Sequence, residues 1–348
     1  MNSNTKKVAV AMSGGVDSSV TALLLKQQGF EVVGITGNMI GDGELLTKAR
    51  GVCDFLGIEH FVLDLQEIFQ KEVIAYFVQT YKSGSTPNPC ALCNKNVKWG
   101  QIFNYAINDL HCDLFATGHY ANISCNDGIY RLERAQCDNK DQLYFLFSLT
   151  QKELSKTIFP LGKYSSKDEI RKIAQENSLP SKSYKDSQGA CFIKKPMSVK
   201  KYLCRQFGEQ RGKVINVSTG KVIGKHDGYY QYTVGQRKGL GIADKFPLYV
   251  TAIDAENNIV YVGYEADAYS NELEIININW QQEEFKNAEF RAQAKIRYNS
   301  PAKKCTVFAK DDSAKIIFDE DVFGIAKGQF GVIYSEDNSF LIAGGRII

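Results

Sequence analysis

The stretch VAVAMSGGVDSSV (residues 8–20) decides the fold of the N-terminal part of this chain. Its first five residues are apolar and predict a short buried strand, and a helix is expected from about Asp17. Ser13, Gly14 and Gly15 lie between the two elements. Glycines let the backbone turn tightly and bring its N–H groups against an anion, and a helix N-terminus adds partial positive charge. The stretch therefore predicts a phosphate-binding loop.

Further strands and helices alternate with this first pair. The runs EVVGIT (31–36), HFVLDL (60–65) and DLFATG (113–118) read as strands, and helical periods separate them. Strand and helix in regular alternation predict a parallel sheet covered on both faces. The fold class expected here is α/β.

The loop lacks the lysine that many phosphate-binding loops carry. The pattern G-x-x-x-x-G-K-[ST] occurs nowhere in the chain, which disfavours γ-phosphate chemistry that depends on that lysine. Asp17 is unexpected beside an anion, unless a cation such as Mg²⁺ bridges the carboxylate and the phosphates.

The pattern S-G-G-x-D-S after a first strand resembles the PP-loop of the N-type ATP pyrophosphatases. Members of that superfamily have an adenine nucleotide alpha hydrolase-like fold and cleave ATP between its α and β phosphates, so that AMP is transferred to an oxygen. The resemblance implies ATP as a cofactor, with Mg²⁺ carried by the ATP. It also implies a set of nucleotide-binding residues: Ala11, Met12, Ser13, Gly14, Gly15, Val16, Asp17, Ser18 and Gly118.

The remainder of the 348-residue chain changes character twice. From about residue 151 the sequence is helical and basic, and residues 151–213 hold 15 Lys and Arg against 6 Asp and Glu although the whole chain is only +3. Such a block is typical of a surface that meets a polyanion, or of a solvated helix face. After about residue 210 the runs are β-rich. We expect a PP-loop domain (1–150), a basic helical region (151–209), a small β domain (210–270) and a C-terminal β-barrel-like domain (271–348).

Nine cysteines, an odd number in a chain without secretory features, do not predict a disulfide scaffold. Most have apolar or strand-like neighbours, whereas Cys90, Cys93 and Cys191 do not. A single C-x-x-C with no second pair is a weak zinc signal, and a three-thiolate iron–sulfur cluster is possible without being required. No metal site is predicted.

Five further segments, in this order, resemble the tRNA-specific 2-thiouridylases. They are TPNPCALCNKNVKW (86–99), ATGHY (116–120), DNKDQLYFL (138–146), KDSQGACFI (185–193) and TVGQRKGLGI (233–242). The resemblance covers essentially the whole chain. It implies ATP-dependent 2-thiolation of the wobble uridine of tRNA, with release of AMP and pyrophosphate.

Replacing a carbonyl oxygen by sulfur needs a good leaving group, which adenylation supplies, and a sulfur nucleophile. On the family pattern, Cys191 carries sulfur as a persulfide and Cys93 completes the transfer, leaving a disulfide between the two that must be reduced. The implied donor is a relay protein or a cysteine desulfurase. The implied substrates are tRNAs of the Lys, Glu and Gln type.

The resemblance also implies contacts with the tRNA. Extruding a loop base costs less than extruding a paired one, so a flipped target uridine is reasonable. His119 would face the tRNA or the adenylate, or else be a satisfied core residue. The other implied contacts are Asn88 and Pro89 beside the flipped base, Lys140, Asp141 and Gln142, and Arg297, Tyr298 and Gln329 in the last domain.

Cys90 departs from the family pattern, because many relatives have Asp at this place as a candidate general acid or base. Cys90 either titrates in place of that Asp or only packs against the loop.

Two other classes of protein remain open: an ATP-dependent small-molecule ligase of the PP-loop class, and a tRNA-binding protein with a relic nucleotide site. No run approaches the roughly 20 apolar residues that cross a bilayer. We therefore expect a cytoplasmic protein without a membrane partner.

Overall fold

A computed structural model describes residues 5–184 and 189–348. They form two compact units, which are described separately. The first comprises residues 5–73, 90–184 and 338–341, and the second comprises residues 74–89, 189–337 and 342–348. Neither unit is continuous in sequence.

The helices include both α-helical and π-helical segments. The α-helices of the described ranges are α1 (Val16–Gln27), α2 (Gly43–Leu56), α3 (Gln66–Phe69), α4 (Ala75–Lys82), α5 (Pro89–Leu92), α6 (Gln151–Leu154), α7 (Lys167–Glu176) and α8 (Val199–Phe207). π-Helical segments span Gln70–Ile74, Cys93–Phe103 and Tyr105–Asp109. Among residues 5–184 and 189–348, no helix has the length and apolar character needed to cross a membrane.

The strands are bounded as follows: β1 (Lys7–Ala11), β2 (Glu31–Asn38), β3 (Glu59–Asp64), β4 (Leu114–Ala116), β5 (Asn122–Asn126), β6 (Ile129–Glu133), β7 (Thr157–Ile158), β8 (Gly212–Asn216), β9 (Val222–His226), β10 (Tyr249–Asp254), β11 (Ile259–Gly263), β12 (Tyr269–Trp280), β13 (Glu289–Lys295), β14 (Lys303–Lys310), β15 (Ser313–Phe323), β16 (Phe330–Tyr334) and β17 (Leu341–Ile347).

A five-stranded parallel sheet of order β3-β2-β1-β4-β7 organises the first unit. The central strand β1 is the most buried, with Val8, Ala9 and Val10 fully inaccessible to solvent. A parallel strand buried on both faces reads as a continuous apolar run, as this one does. The predicted α/β fold with a parallel sheet is confirmed.

Residues from the basic region complete this sheet. β7 pairs with β4, matching Thr157 to Phe115, and α7 packs against α1. Ile170 and Ala174 lie on one face of α7 and are buried in the core of the unit. Residues 151–184 therefore belong to the same compact unit as the glycine-rich loop. The fourfold division into domains stays a prediction.

Two β-rich structures form most of the second unit. One is a four-stranded sheet of order β10-β11-β8-β9, and the other is a closed six-stranded barrel of order β12-β15-β14-β13-β16-β17. Closure leaves the barrel without an unpaired edge. The prediction of two small β-rich domains after the α/β domain is confirmed.

One glycine tests the packing of the first unit. A Cβ added at Gly162 would collide with the backbone carbonyl of Ala121. A backbone carbonyl cannot relieve the collision by changing rotamer, as a side chain could. We predict that Gly162→Ala lowers the free energy of unfolding by about 1–3 kcal/mol. In helix α2 a Cβ added at Gly51 meets no atom within 4 Å, so Gly51→Ala should stabilise by about 0.5–1 kcal/mol. Thermal unfolding of both variants checks this, and an unchanged melting temperature for Gly162→Ala would contradict the packing described.

Candidate active site

The glycine-rich loop lies where the sequence predicts it. β1 ends at Ala11, Gly15 is the N-cap of α1, and Gly14 adopts a left-handed backbone with φ of 71°. The backbone N–H of Ser13 donates to Ser18 Oγ at 3.2 Å, and the two serine hydroxyls lie 3.1 Å apart. The Ser18 and Ser19 hydroxyls donate to the Gly15 carbonyl. The loop therefore lies, with its own polar groups paired, at the positive end of a twelve-residue helix, where an anion is favoured.

Asp17, in the first turn of α1, forms an ion pair that the sequence did not predict. Lys167 Nζ lies 2.6 Å from both carboxylate oxygens of Asp17, and the Tyr120 hydroxyl donates to Oδ1 at 3.0 Å. The Lys167 side chain is only 12% exposed. A lysine 150 residues away in sequence thus neutralises the one acidic group of the loop.

Gly118 lies against the loop. A Cβ added at Gly118 would lie 2.9 Å from the Asp17 carbonyl carbon and 3.0 Å from the Ser18 nitrogen. At Gly14 a Cβ would lie 2.8 Å from Lys48 Cβ in α2. Both glycines are needed because backbone approaches backbone too closely for a side chain.

His119 is a buried residue with polar partners. Its Nδ1 lies 2.7 Å from Thr117 Oγ1, its Nε2 lies 3.5 Å from Lys98 Nζ, and its ring packs against Trp99 and Phe159. Because the ammonium of Lys98 has no acceptor, Nε2 accepts and Nδ1 carries the hydrogen. Burial, reinforced by the charge of Lys98, lowers the pKa of His119 well below its ordinary value. The imidazole is therefore neutral at physiological pH.

Cys90 and Cys93 lie near the start of one helical run. Cys90 is in α5, and Cys93 is the first residue of the π-helical segment that follows. Although Cys90 is exposed and Cys93 half-buried, protein atoms around the Cys90 thiol raise its pKa by desolvation, against the opposing charge of Lys98. Cys90 therefore stays protonated at neutral pH, which argues against titration of Cys90 in the range where an Asp would act as a base.

Cys191 is exposed on a turn of the second unit. The Ile193 N–H donates to the Ala190 carbonyl at 3.0 Å, and the Phe192 ring packs edge-on against Phe77 at 5.1 Å and against Tyr202 at 6.0 Å. Phe192 thus anchors a segment whose thiol remains accessible. The first part of the KDSQGACFI motif, residues 185–188, lies outside the described residues.

No metal centre is apparent among the residues that the structure describes: no three His, Cys, Asp or Glu side chains within 5–184 and 189–348 are placed to hold an ion.

The side chains of residues 141 and 142 accept hydrogen bonds from backbone groups of neighbouring segments. Asp141 is 4% exposed and accepts hydrogen bonds from the backbone N–H groups of Ala135 at 2.9 Å and Leu143 at 3.3 Å. Gln142 Oε1 accepts from the Tyr120 N–H at 3.0 Å, and Lys140 is half-buried. Asp141 and Gln142 therefore shape the loop beside Tyr120.

Arg297 and Tyr298, which follow strand β13, have partners within the second unit. Arg297 Nη2 donates to the carbonyls of Val234, at 2.7 Å, and Gly324. Lys295 Nζ lies 5.6 Å from the centre of the Tyr298 ring. Arg297 thus ties the TVGQ segment of the four-stranded domain to the end of barrel strand β15, a role that the sequence did not predict.

Asn88 is buried and Pro89 half-buried, and both lie in the second unit together with Gln329. The Gln329 side-chain amide donates to the carbonyls of Thr86 and Pro87. Gln329 therefore contacts the segment that leads into Asn88 and Pro89, although 242 positions separate it from Pro87 in sequence.

Family models match three consecutive parts of the chain. They are described as a tRNA methyl transferase HUP domain over residues 6–195, a tRNA methyl transferase PRC-barrel domain over residues 200–264, and an aminomethyltransferase beta-barrel domain over residues 270–347. Among solved structures, a 4-thiouridine synthetase in complex with RNA and ATP aligns with 53% of this chain and 44% of its own, at 20% identity and a TM-score of 0.35. That likeness is too distant to bear on function.

Full-length relatives are much closer in sequence. The tRNA-specific 2-thiouridylase MnmA of Trichormus variabilis is 41% identical over 99% of this chain and 98% of its own length. The corresponding proteins of Nostoc punctiforme and Synechocystis sp. are 41% and 42% identical, each over 99% of this chain and over 99% and 97% of their own lengths. By this identity over nearly the whole of both sequences, the chain belongs to the tRNA-specific 2-thiouridylase (MnmA) family.

Proposed function

We propose that this protein is a tRNA-uridine 2-sulfurtransferase that uses ATP to replace the C2 oxygen of the wobble uridine by sulfur. The observation that carries the proposal is the S-G-G-x-D-S loop at the N-terminus of α1, with Asp17 neutralised by Lys167, in a chain whose relatives are tRNA-specific 2-thiouridylases. Two cysteines outside any apolar core, Cys93 and Cys191, supply the sulfur chemistry.

The first half-reaction uses the loop. ATP, with Mg²⁺ as its counter-ion, binds to residues 11–18 and Gly118, and backbone N–H groups and serine hydroxyls hold the β and γ phosphates. The uridine C2 oxygen attacks the α phosphorus, and pyrophosphate leaves. Donors already fixed at the helix N-terminus stabilise the charge that develops on the departing pyrophosphate without having to reorganise.

The second half-reaction uses the two thiols. A donor of persulfide sulfur, either a relay protein or a cysteine desulfurase, loads Cys191, whose terminal sulfur attacks C2 and displaces AMP with the original oxygen. The Cys93 thiolate then attacks the Cys191 sulfur, so that the 2-thiouridine is released and a Cys93–Cys191 disulfide forms. An external thiol reduces that disulfide. The exposure of Cys191 supports its loading by a partner protein.

Contacts with the tRNA are proposed for the family positions Asn88, Pro89, Cys90, His119, Lys140, Asp141, Gln142, Arg297, Tyr298 and Gln329. Basic side chains of residues 151–209 add contacts to phosphates, which position a nucleic acid without reading its sequence. We expect tRNAs of the Lys, Glu and Gln type as substrates, and a cytoplasmic reaction.

Methyl transfer, which the names of two family models suggest, explains neither the nucleotide loop nor the two thiols. An ATP-dependent small-molecule ligase shares the loop but has no use for Cys93 and Cys191. Release of pyrophosphate that does not depend on tRNA would favour such a ligase.

The two-thiol mechanism predicts a strict requirement for both cysteines. Cys93→Ser and Cys191→Ser should each lower 2-thiouridine formation by at least about a thousandfold, because serine forms no persulfide and no disulfide. Binding of tRNA should be unchanged. Nucleoside mass spectrometry measures the product, and Cys125→Ser, which changes another exposed cysteine, is the control. Product formed by either single mutant at the wild-type rate would refute the mechanism.

The ion pair predicts an effect on ATP. Lys167→Met leaves the Asp17 carboxylate, 32% exposed, without its cation beside the phosphates. The KM for ATP should rise roughly ten- to thirtyfold. Loss of one partner of a partly buried ion pair costs a few kcal/mol, and water around the exposed part of the carboxylate reduces that cost. Adding Asp17→Asn should restore part of the loss, because the repelling charge is then gone.

The matched control for this test is Lys172→Met. Lys172 is in the same helix, but its side chain is 73% exposed and pairs with Glu176 at the surface. An unchanged KM for Lys167→Met, or an equal effect of both lysine variants, would show that the pair does not serve the nucleotide site.

Cys90→Asp tests the proton-transfer role of this position against ligation of a metal. The raised pKa keeps the Cys90 thiol neutral at pH 7, so a general base is available there only after the change to Asp. We expect thiolation by Cys90→Asp to be retained or increased, and retained by Cys90→Ser. Loss of activity in both variants, measured by nucleoside mass spectrometry, would point to a required thiolate ligand instead.

A further inference from the structure

The segment Thr86–Pro87–Asn88–Pro89 has few backbone hydrogen-bond donors that could fix its conformation. Proline has no N–H, so this loop has only the backbone donors of Thr86 and Asn88. A loop that must present residues to a substrate needs both donors and the carbonyls between them fixed by something else. The structure shows what that is.

The first support is a turn of the C-terminal barrel, residues 326–329, between strands β15 and β16. The Thr86 N–H donates to the Lys327 carbonyl at 2.8 Å. In the opposite direction, Gln329 Nε2 donates to the Thr86 carbonyl at 3.3 Å and to the Pro87 carbonyl at 3.0 Å. The turn therefore fixes both sides of the Thr86–Pro87 peptide unit.

The second support is the Tyr76 hydroxyl. The Asn88 N–H donates to it, and it donates to the Gly328 carbonyl at 3.4 Å. Burial raises the pKa of Tyr76, so the hydroxyl keeps the proton that this bridge requires. Both backbone donors of the segment are thus paired, one directly to the barrel turn and one through Tyr76.

Gly328 brings the turn close enough for these contacts. Its φ is 88°, and a Cβ there would lie 2.9 Å from Ser85 Cβ and 3.0 Å from the Thr86 carbonyl oxygen. The turn itself is held by the barrel, since Gly328 N–H donates to the Ile347 carbonyl at 2.9 Å and Ile347 N–H donates to the Gln329 carbonyl at 2.8 Å. The turn is therefore hydrogen-bonded to barrel strand β17.

The side chain of Gln329 has limited capacity for anything further as a donor. A carboxamide nitrogen carries two hydrogens, and that of Gln329 donates to two carbonyls of the segment. The side chain that the family resemblance assigns to tRNA contact therefore also holds the loop.

We propose that Gln329 and Tyr76 are positioning residues for thiolation: they hold the 86–89 segment so that Asn88 and Pro89 are presented to the target uridine in one geometry. This inference rests on the proposed function. It makes the C-terminal barrel a support for the reaction centre rather than a tRNA-docking module alone. Preorganisation of this kind acts on the rate of the bound complex, because a loosened segment must be ordered again in each turnover.

The expected signature separates positioning from direct contact. Gln329→Met keeps the length of the side chain but removes both hydrogen bonds, so the single-turnover rate of 2-thiouridine formation should fall about 10- to 30-fold, given about 1 kcal/mol for each bond. The Kd for tRNA should change less than about twofold, because phosphate contacts elsewhere supply most of the affinity. Tyr76→Phe should show the same pattern with a smaller loss.

Gln293→Met is the matched control. Gln293 is in barrel strand β13, and its Nε2 likewise donates to a backbone carbonyl, that of Glu336 at 3.0 Å. This variant should keep the wild-type rate. A fall in the melting temperature common to both glutamine variants would report only the loss of a hydrogen bond in the barrel.

Hydrogen exchange supplies a readout independent of activity. The amides of Thr86 and Asn88 should exchange faster in Gln329→Met and Tyr76→Phe than in the wild type or Gln293→Met, while the barrel strands remain protected.

Two results would overturn the proposal. One is a raised Kd for tRNA with an unchanged single-turnover rate, which would favour direct tRNA contact. The other is unchanged hydrogen exchange at both amides. If the wild type itself forms no 2-thiouridine, the proposed function fails; an active wild type with an equally active Gln329→Met overturns this inference alone.

Discussion

The charge balance of the glycine-rich loop depends on the contact between Lys167 and Asp17. A loop of backbone N–H groups attracts phosphate, but a carboxylate in the first turn of the same helix would repel it unless a cation lies against it. Lys167 Nζ lies 2.6 Å from both oxygens of that carboxylate. The helix that begins with Lys167, α7, also packs its buried face, with Ile170 and Ala174, against α1. Charge compensation and core formation are thus achieved by one helix.

In the second unit, too, distant residues hold a short segment in place. The 74–89 segment comes from the middle of the α/β sequence but packs with the β-rich part of the chain. Residues 83–88, between α4 and α5, are in neither a helix nor a strand, so their geometry has to come from outside. The barrel turn at Gly328 and the Tyr76 hydroxyl provide it. In both units, therefore, short motif segments are held by residues far away in sequence.

That separation sets the limit of what the sequence could predict. The strand VAVAM, the glycines after it and the alternation of strand and helix are local signals, and they predicted the parallel sheet and the position of the loop. Gly118 was expected from the resemblance to bind the nucleotide, and its packing against Asp17 is a tertiary contact that no local pattern predicts. Lys167 had no local signal, because a lysine that begins an amphipathic helix looks like any solvated residue. The same holds for Arg297, whose guanidinium ties two β domains together, and for His119, whose burial only the tertiary structure reveals.

The central claim is that ATP converts the uridine C2 oxygen into a leaving group, and the fate of that oxygen tests it most directly. A tRNA transcript carrying ¹⁸O at C2 of the wobble uridine can be incubated with the protein, ATP, Mg²⁺ and a persulfide donor, and the AMP analysed by mass spectrometry. The account predicts one ¹⁸O atom in each AMP formed, in proportion to the 2-thiouridine produced. AMP without the label, alongside thiolated tRNA, would contradict it.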